Sequence, residues 1–391
     1  MPHARHVPCC PFFMPRARRD LRVETIMRML LVLEDGKAFA GDSFGFDTEI
    51  CGWVRSEYSI VGYQEILTDP DNRGCILNMT YPHIGNYGVN PEDQESSDIH
   101  AAALVVREKS RMFSNWRAKG SLEDFMAERK IVGMEGVDTR TLALHLRDFG
   151  EMRGIVGPES ASAGKLLKKL KQFRSPRAAD LIRETAEQDR LAATFSGNGG
   201  VRIAVLDLGI RRSLVKQLRQ CGCDLAGVGP DASWADIEAM KPEGLFVSNG
   251  PGDPRELTAL AVELRKALGK LPVFGVSLGC QLLALAAGAA VVPMKSGHHG
   301  ANYPVRDERS GRTLITCQNH RFVVEAESLK GHGLRPWYVN LTDRSVEGIV
   351  SEDEAACGVQ FSPMADDEGR PNDHLRRFAE SAKNRGARPR R

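Results

Sequence analysis

A chain of 391 residues, 42% apolar and 27% charged, has room for two or three packed domains of ordinary globular type. A net charge of +2 gives no footing for nucleic acid or an anionic membrane, and no run of about eighteen apolar residues offers a bilayer span. Nine scattered cysteines, with no zinc spacing and no secretory signal, point to reduced thiols in the cytoplasm rather than a disulfide scaffold or a metal site.

Residues 1–26 are rich in Pro and Arg and lack a sustained apolar period. They are expected to form a disordered leader, with a transit peptide as the alternative reading. A first domain is expected over 27–157. MLLVLEDGKAFAG, from Met29, predicts a hairpin turning at Asp35-Gly36, and short strands continue through Gly88. Asp138 is placed to cap a helix carrying Leu142 and Leu146. Residues 158–200 are polar and charged, with one amphipathic helix (Leu166, Leu167, Leu170) and a closing SGNGG, and are taken as a linker.

The rhythm then changes. Strands at 203–206, 225–228, 244–247 and 273–276 alternate with helices at 212–220, 232–240, 255–268 and 281–287. That alternation predicts a parallel, two-sided α/β sheet over 201–382, followed by a short basic tail at 383–391. In such sheets, sites form where loops leave the carboxyl ends of strands. Two loops qualify: SNGPGDP at 248–254, and the turn around Ser277 in GVSLG.

The G-x-S-x-G pattern presents a serine on a tight strand-to-helix turn. An alcohol attacks only when an adjacent base takes its proton, so the role of Ser277 depends on what the rest of the chain supplies. His298, His299, His320, His332 and His374 all follow it. His374, after Asp366 and Asp367, fits the serine-hydrolase order loosely, and a surface position near the last helix is the plainer reading. Cys280 is expected to be a small core residue.

Taken together, the motifs resemble carbamoyl-phosphate synthase small subunits. GYQEILTDP (62–70), TYPHIGNYGVN (80–90) and GVDTRTL (136–142) are similar to that family's own N-terminal domain of mixed α/β type. SNGPGDP, FGVSLGCQLLALAAGA, GHHGANYPV (297–305), CQNHRF (317–322) and GVQFSPMA (358–365) are similar to its class I glutamine-amidotransferase domain. The resemblance implies a chain that pairs with a large synthetase subunit. ATP and metal belong to that partner, which makes carbamoyl phosphate for pyrimidine and arginine synthesis. It also implies a glutamine site made by Gly250, Gly252, Leu278, Gln281, Asn319 and Phe322, with the Gly252 and Leu278 amides as the oxyanion hole.

The family's triad is a cysteine on the turn, then a histidine and a glutamate from a His-Pro-Glu run. Those positions are here Ser277, Ser362 and Met364, and Cys280 stands where the family has a histidine. The triad is degenerate, so a subunit without glutaminase activity, supporting an ammonia-dependent synthetase, is expected. Two other readings are a serine hydrolase acting through Ser277 and a non-catalytic sensor of glutamine. Asp71 and Arg321 replace a serine and a glycine of the family's pocket, which is expected to weaken glutamine binding. The stretch Ser56–Val61 departs from the family as well.

Overall fold

The structure is a computed structural model that describes residues 27–186 and 191–386. The expected leader and the last five residues of the tail lie outside the described residues. Seven strands close into a barrel, in the order Arg28–Leu33, Ala38–Gly45, Val132–Glu135, Ala103–Val105, Cys75–Met79, Ile50–Glu57 and Met152–Pro158. The first two form the expected hairpin, running from Arg28 opposite Asp42 to Val32 opposite Ala38. Gly36 has a φ of 91° in the turn, a value that glycine adopts without a Cβ penalty.

Side chains alternate across each barrel strand. Met29, Leu31 and Leu33 point into the barrel with Val54 and Ile76. Val32 points outward and packs on Leu166 and Leu170 of the helix Ala163–Gln172. The Asp138 side chain accepts from the Thr141 amide and starts the helix Thr139–Phe149, whose Leu142 and Leu146 complete the barrel core.

The connecting segment carries two helices where the sequence suggested one. The second, Ala178–Ala186, inserts Ala178 and Ile182 into the core of the following domain. Its apolar spacing is short and broken by charge, which hid it in the sequence.

The second domain is a nine-stranded sheet covered on both faces. Five strands are parallel, in the order Cys223–Val228, Val201–Leu206, Gly244–Val247, Val273–Val276 and Ala356–Val359. The other four, Val346–Ser351, Thr313–Val324, Val291–Asp307 and Leu334–Asn340, extend it as antiparallel neighbours. Of these, Thr313–Val324 alternates buried and more accessible residues over most of its length, whereas Val346–Ser351 is buried along nearly its whole length. The helix Asp373–Gly386 runs past residue 382, so Lys383 and Arg385 form its last turn, not a separate tail. Among the described residues, no helix is long and apolar enough to cross a membrane.

Candidate functional site

Four loops leave the carboxyl ends of parallel strands on one edge of the second domain. They carry Arg211, the Ser248–Pro254 segment, Ser277 and Ser362. Ser277 caps the helix Leu278–Ala287 with φ 51° and ψ −111°, a strained backbone region for a residue with a Cβ. The flanking glycines explain how the strain is held. A Cβ on Gly279 would lie 2.1 Å from the Val247 carbonyl oxygen, and one on Gly275 would lie 2.6 Å from the Gly279 carbonyl carbon. Helix and strands therefore touch backbone to backbone, and the serine is forced to the apex. The elbow expected from G-V-S-L-G is present.

The same packing fixes the backbone at Leu278 and Gly252, whose amides were expected to form an oxyanion hole. Leu278 opens its helix, so its amide has no intrahelical acceptor. Gly252 has a φ of 106°, and a Cβ there would meet Ala178 at 2.5 Å, so the connecting helix presses directly on this loop.

The opposite wall is different. Ser362 is buried, and its hydroxyl accepts a hydrogen bond from Arg211 Nη1. Arg211 in turn donates from Nε to Asp69 Oδ1 at 2.9 Å and from Nη2 to Asp71 Oδ2 at 2.8 Å. Asp71 Oδ1 also accepts from Asn249 Nδ2 at 2.7 Å. A guanidinium from the second domain is thus clamped by two carboxylates of the first and held against Ser362. Burial, together with the neighbouring Asp69 carboxylate, pushes Asp71 up to about 7 against the opposing pull of Arg211, Asn249 and Arg55. Asp71 therefore turns into this network instead of presenting a free, repelling carboxylate to a ligand. Met364 is 54% exposed, with only its backbone carbonyl engaged, by Asn372.

No described histidine hydrogen-bonds Ser277, whose hydroxyl has no hydrogen-bonding partner among the described residues, and those buried near the site are engaged elsewhere. His298 lies between Asp343 and Glu347, at 2.9 Å from each. Burial pulls its pKa down, but those two hydrogen bonds hold it up at about 9, so it is charged. His299 bonds Asn319 Oδ1 at 2.9 Å and Glu151 Oε1 at 2.8 Å. His320 faces the Phe322 carbonyl through Nδ1, and Gln318 and Glu347 through Nε2. His298, His320 and Glu347 bring ligand-type atoms within 4.8 Å of one another, and their mutual hydrogen bonds account for that closeness. His374 was expected at the surface. It is buried against Tyr338 and Asn372, and burial drives it down to about 4. His332 is exposed beside Gly288. Cys280 is a core residue whose thiol is pushed up by burial.

A cavity of about 380 Å³ opens beside Ser277, lined by Gly250, Gly252, Leu278, Gln281, Asn319 and Phe322. The structure brings together all six residues expected around glutamine, but two of the polar ones are already engaged. Asn319 donates to Asp69 Oδ2 and Asn72 Oδ1 and faces His299 with its oxygen. Gln281 Nε2 donates to the Phe322 carbonyl and to Gln360. Arg321 does not turn to solvent: its guanidinium lies 4.2 Å over the Trp53 ring and 4.9 Å over Phe322. Arg55, Trp53 and Arg211 are the site residues that the sequence reading missed. The available signal was an arginine two residues after a tryptophan in a barrel strand, where a barrel-core reading expects an apolar side chain.

Comparison with known proteins agrees with this architecture. Residues 31–156 match the carbamoyl-phosphate synthase small chain, CPSase domain, and residues 204–380 match the class-I glutamine amidotransferase family. The carbamoyl phosphate synthase small chain of Syntrophotalea carbinolica is 38% identical over 351 residues, covering 87% of this chain and 93% of that one. Its counterpart in Listeria monocytogenes is 40% identical over 339 residues, covering 86% and 92%. Among solved structures, the glutaminase domain of Trypanosoma brucei CTPS, with bound acivicin, is 19% identical and covers 47% of this chain and 94% of its own, with a TM-score of 0.38.

Proposed function

The chain belongs to the carbamoyl-phosphate synthase small-chain family, and we propose that within it this protein is a subunit that does not hydrolyse glutamine. It docks on a large synthetase subunit and supports synthesis of carbamoyl phosphate from free ammonia. The observation that carries this reading is the Arg211–Ser362 hydrogen bond. The position that should hold a base holds instead a hydroxyl whose lone pair is taken by a cation. A serine with no proton acceptor is almost wholly neutral at pH 7 and is a poor nucleophile toward an amide. Loss of triad members costs on the order of 10⁴ to 10⁶ in turnover.

The hydrolase reading finds no support in the geometry. His374, its required base, is buried on Tyr338, and Asp366, its required acid, is bonded to Arg370. The intact elbow, loop glycines and core favour a retained structural role over decay, because loss of selection would erode packing as well as chemistry.

Co-expression with the large subunit tests the proposal. A stable complex that makes carbamoyl phosphate from ammonium and bicarbonate, and not from glutamine, is the expected result. A complex that uses glutamine at a rate comparable to ammonium would overturn it.

A further inference from the structure

The cavity beside Ser277 holds charges that the glutamine chemistry does not explain. Trp53 and Arg55 alternate with Val54 on the strand Ile50–Glu57. Val54 enters the barrel core, so its two neighbours point the other way, toward the second domain, and both line the cavity. Arg55 is 6% exposed, and its buried Nη2 has no hydrogen-bonding partner. Arg321 enters from the second domain and stacks between Trp53 and Phe322, which leaves the edge of its guanidinium, where all its donors lie, unused.

The other charges of the cavity wall are accounted for. Arg73 is paired with Glu184 at 2.7 Å, and Arg255 with Asp253 at 2.7 Å. Asp71 is bonded to Arg211 and Glu151 to His299. Glu256 accepts the amide of Ala178 at the opening of the helix Ala178–Ala186. Among the described residues, only Arg55 and Arg321 line this cavity as cations with no carboxylate within 4.0 Å. They lie near each other, because Arg321 stacks on Trp53, which shares its strand face with Arg55. Buried guanidinium donors without an acceptor are costly, and the planar fork of arginine fits a carboxylate through two parallel hydrogen bonds. Asp71 and Glu151 feel the Arg55 charge but are hydrogen-bonded to Arg211 and His299, so the free donors of Arg55 and Arg321, one group from each domain, are open to two further carboxylates.

We propose that this cavity binds a small organic dianion, a dicarboxylate of amino-acid size, gripped by Arg55 and Arg321. Its size falls in the usual range for small-molecule sites. Glutamine, with one carboxylate and an ammonium group, leaves one guanidinium unanswered. Because the ligand bridges barrel and sheet, its binding also ties the two domains together. The inference needs the cavity and no large subunit, so it is read on the chain alone and is independent of whether glutamine is hydrolysed.

Calorimetry and thermal unfolding of the purified full chain at fixed ionic strength provide the test. The probes are glutarate, 2-oxoglutarate, L-glutamate, L-glutamine and inorganic phosphate. At least one dicarboxylate is expected to bind tenfold or more tighter than glutamine and tighter than phosphate. Arg55→Met and Arg321→Gly are each expected to weaken that binding at least tenfold. Arg55→Met removes a guanidinium with an unsatisfied Nη2 but also a cation near Asp71 and Glu151, so its unfolding transition without ligand is measured first, and binding is read on the folded variant, which separates lost binding from lost folding. Glutamine or phosphate binding as tightly as every dicarboxylate, no dicarboxylate binding at millimolar concentration, or binding unchanged in folded Arg55→Met would each overturn the proposal.

Discussion

The Ser277 elbow and the Ser362 loop follow neighbouring parallel strands, Val273–Val276 and Ala356–Val359, yet they have had opposite fates. At the elbow everything that geometry needs is present: the positive φ, the flanking glycines and the helix start. At the loop, the positions that resemble the family's histidine and glutamate hold Ser362 and Met364, and Arg211 joins Ser362 to Asp71. Elbow geometry is fixed by backbone-to-backbone packing, where a single methyl group collides. The reactive side chains bear little load in the core, so a triad can be lost while the fold around it is kept.

That contrast sets an order of expected effects. Gly279→Ala should be the most damaging change, because the added carbon would sit 2.1 Å from the Val247 oxygen. A loss above about 4 kcal/mol, or failure to fold, is expected in chemical denaturation. Arg211→Met comes next. It strands the buried carboxylates of Asp69 and Asp71, and a loss of about 3–5 kcal/mol is expected at pH 8. Ser362→Ala, removing only the hydroxyl that accepts from Arg211, should cost about 1–2 kcal/mol. If the two losses were equal, Arg211 would serve Ser362 and not the carboxylates.

A pH series sharpens the picture of the histidines. His298 has a folded pKa of about 9, above its ordinary value of 6.5, so the folded state holds a proton that the unfolded state releases. Its contribution is complete below about pH 6.5 and is lost as pH rises through 9, amounting to about 3 kcal/mol at most. The parent chain should lose stability across that window, and His298→Gln should flatten the curve there. The smallest effect belongs to Ser277→Ala. Its hydroxyl has no partner, so a change below about 0.5 kcal/mol is expected.

Much of this was legible in the sequence. The Asp35-Gly36 hairpin, the Asp138 cap and the strands Gly244–Val247 and Val273–Val276 follow from local pattern. The elbow follows from a short motif with a mechanical meaning, and the expected degenerate triad from the resemblance to the family. The helix Ala178–Ala186 was hidden because its apolar face is only two or three residues long and gains its stability from a core far away in sequence. The burial of His374 was hidden because one turn of polar residues surrounds it. The Arg211 network and the Arg55–Arg321 pair were out of reach for a common reason. Each joins residues more than 100 positions apart, and no local periodicity encodes which cation meets which carboxylate.

The central claim is that the elbow alcohol has no proton acceptor, and ammonia release from glutamine measures it most directly. The purified chain, alone and with the large subunit, should release ammonia no faster than glutamine does in buffer, and Ser277→Ala should leave the rate unchanged. A rate well above that background which Ser277→Ala abolishes would contradict the account.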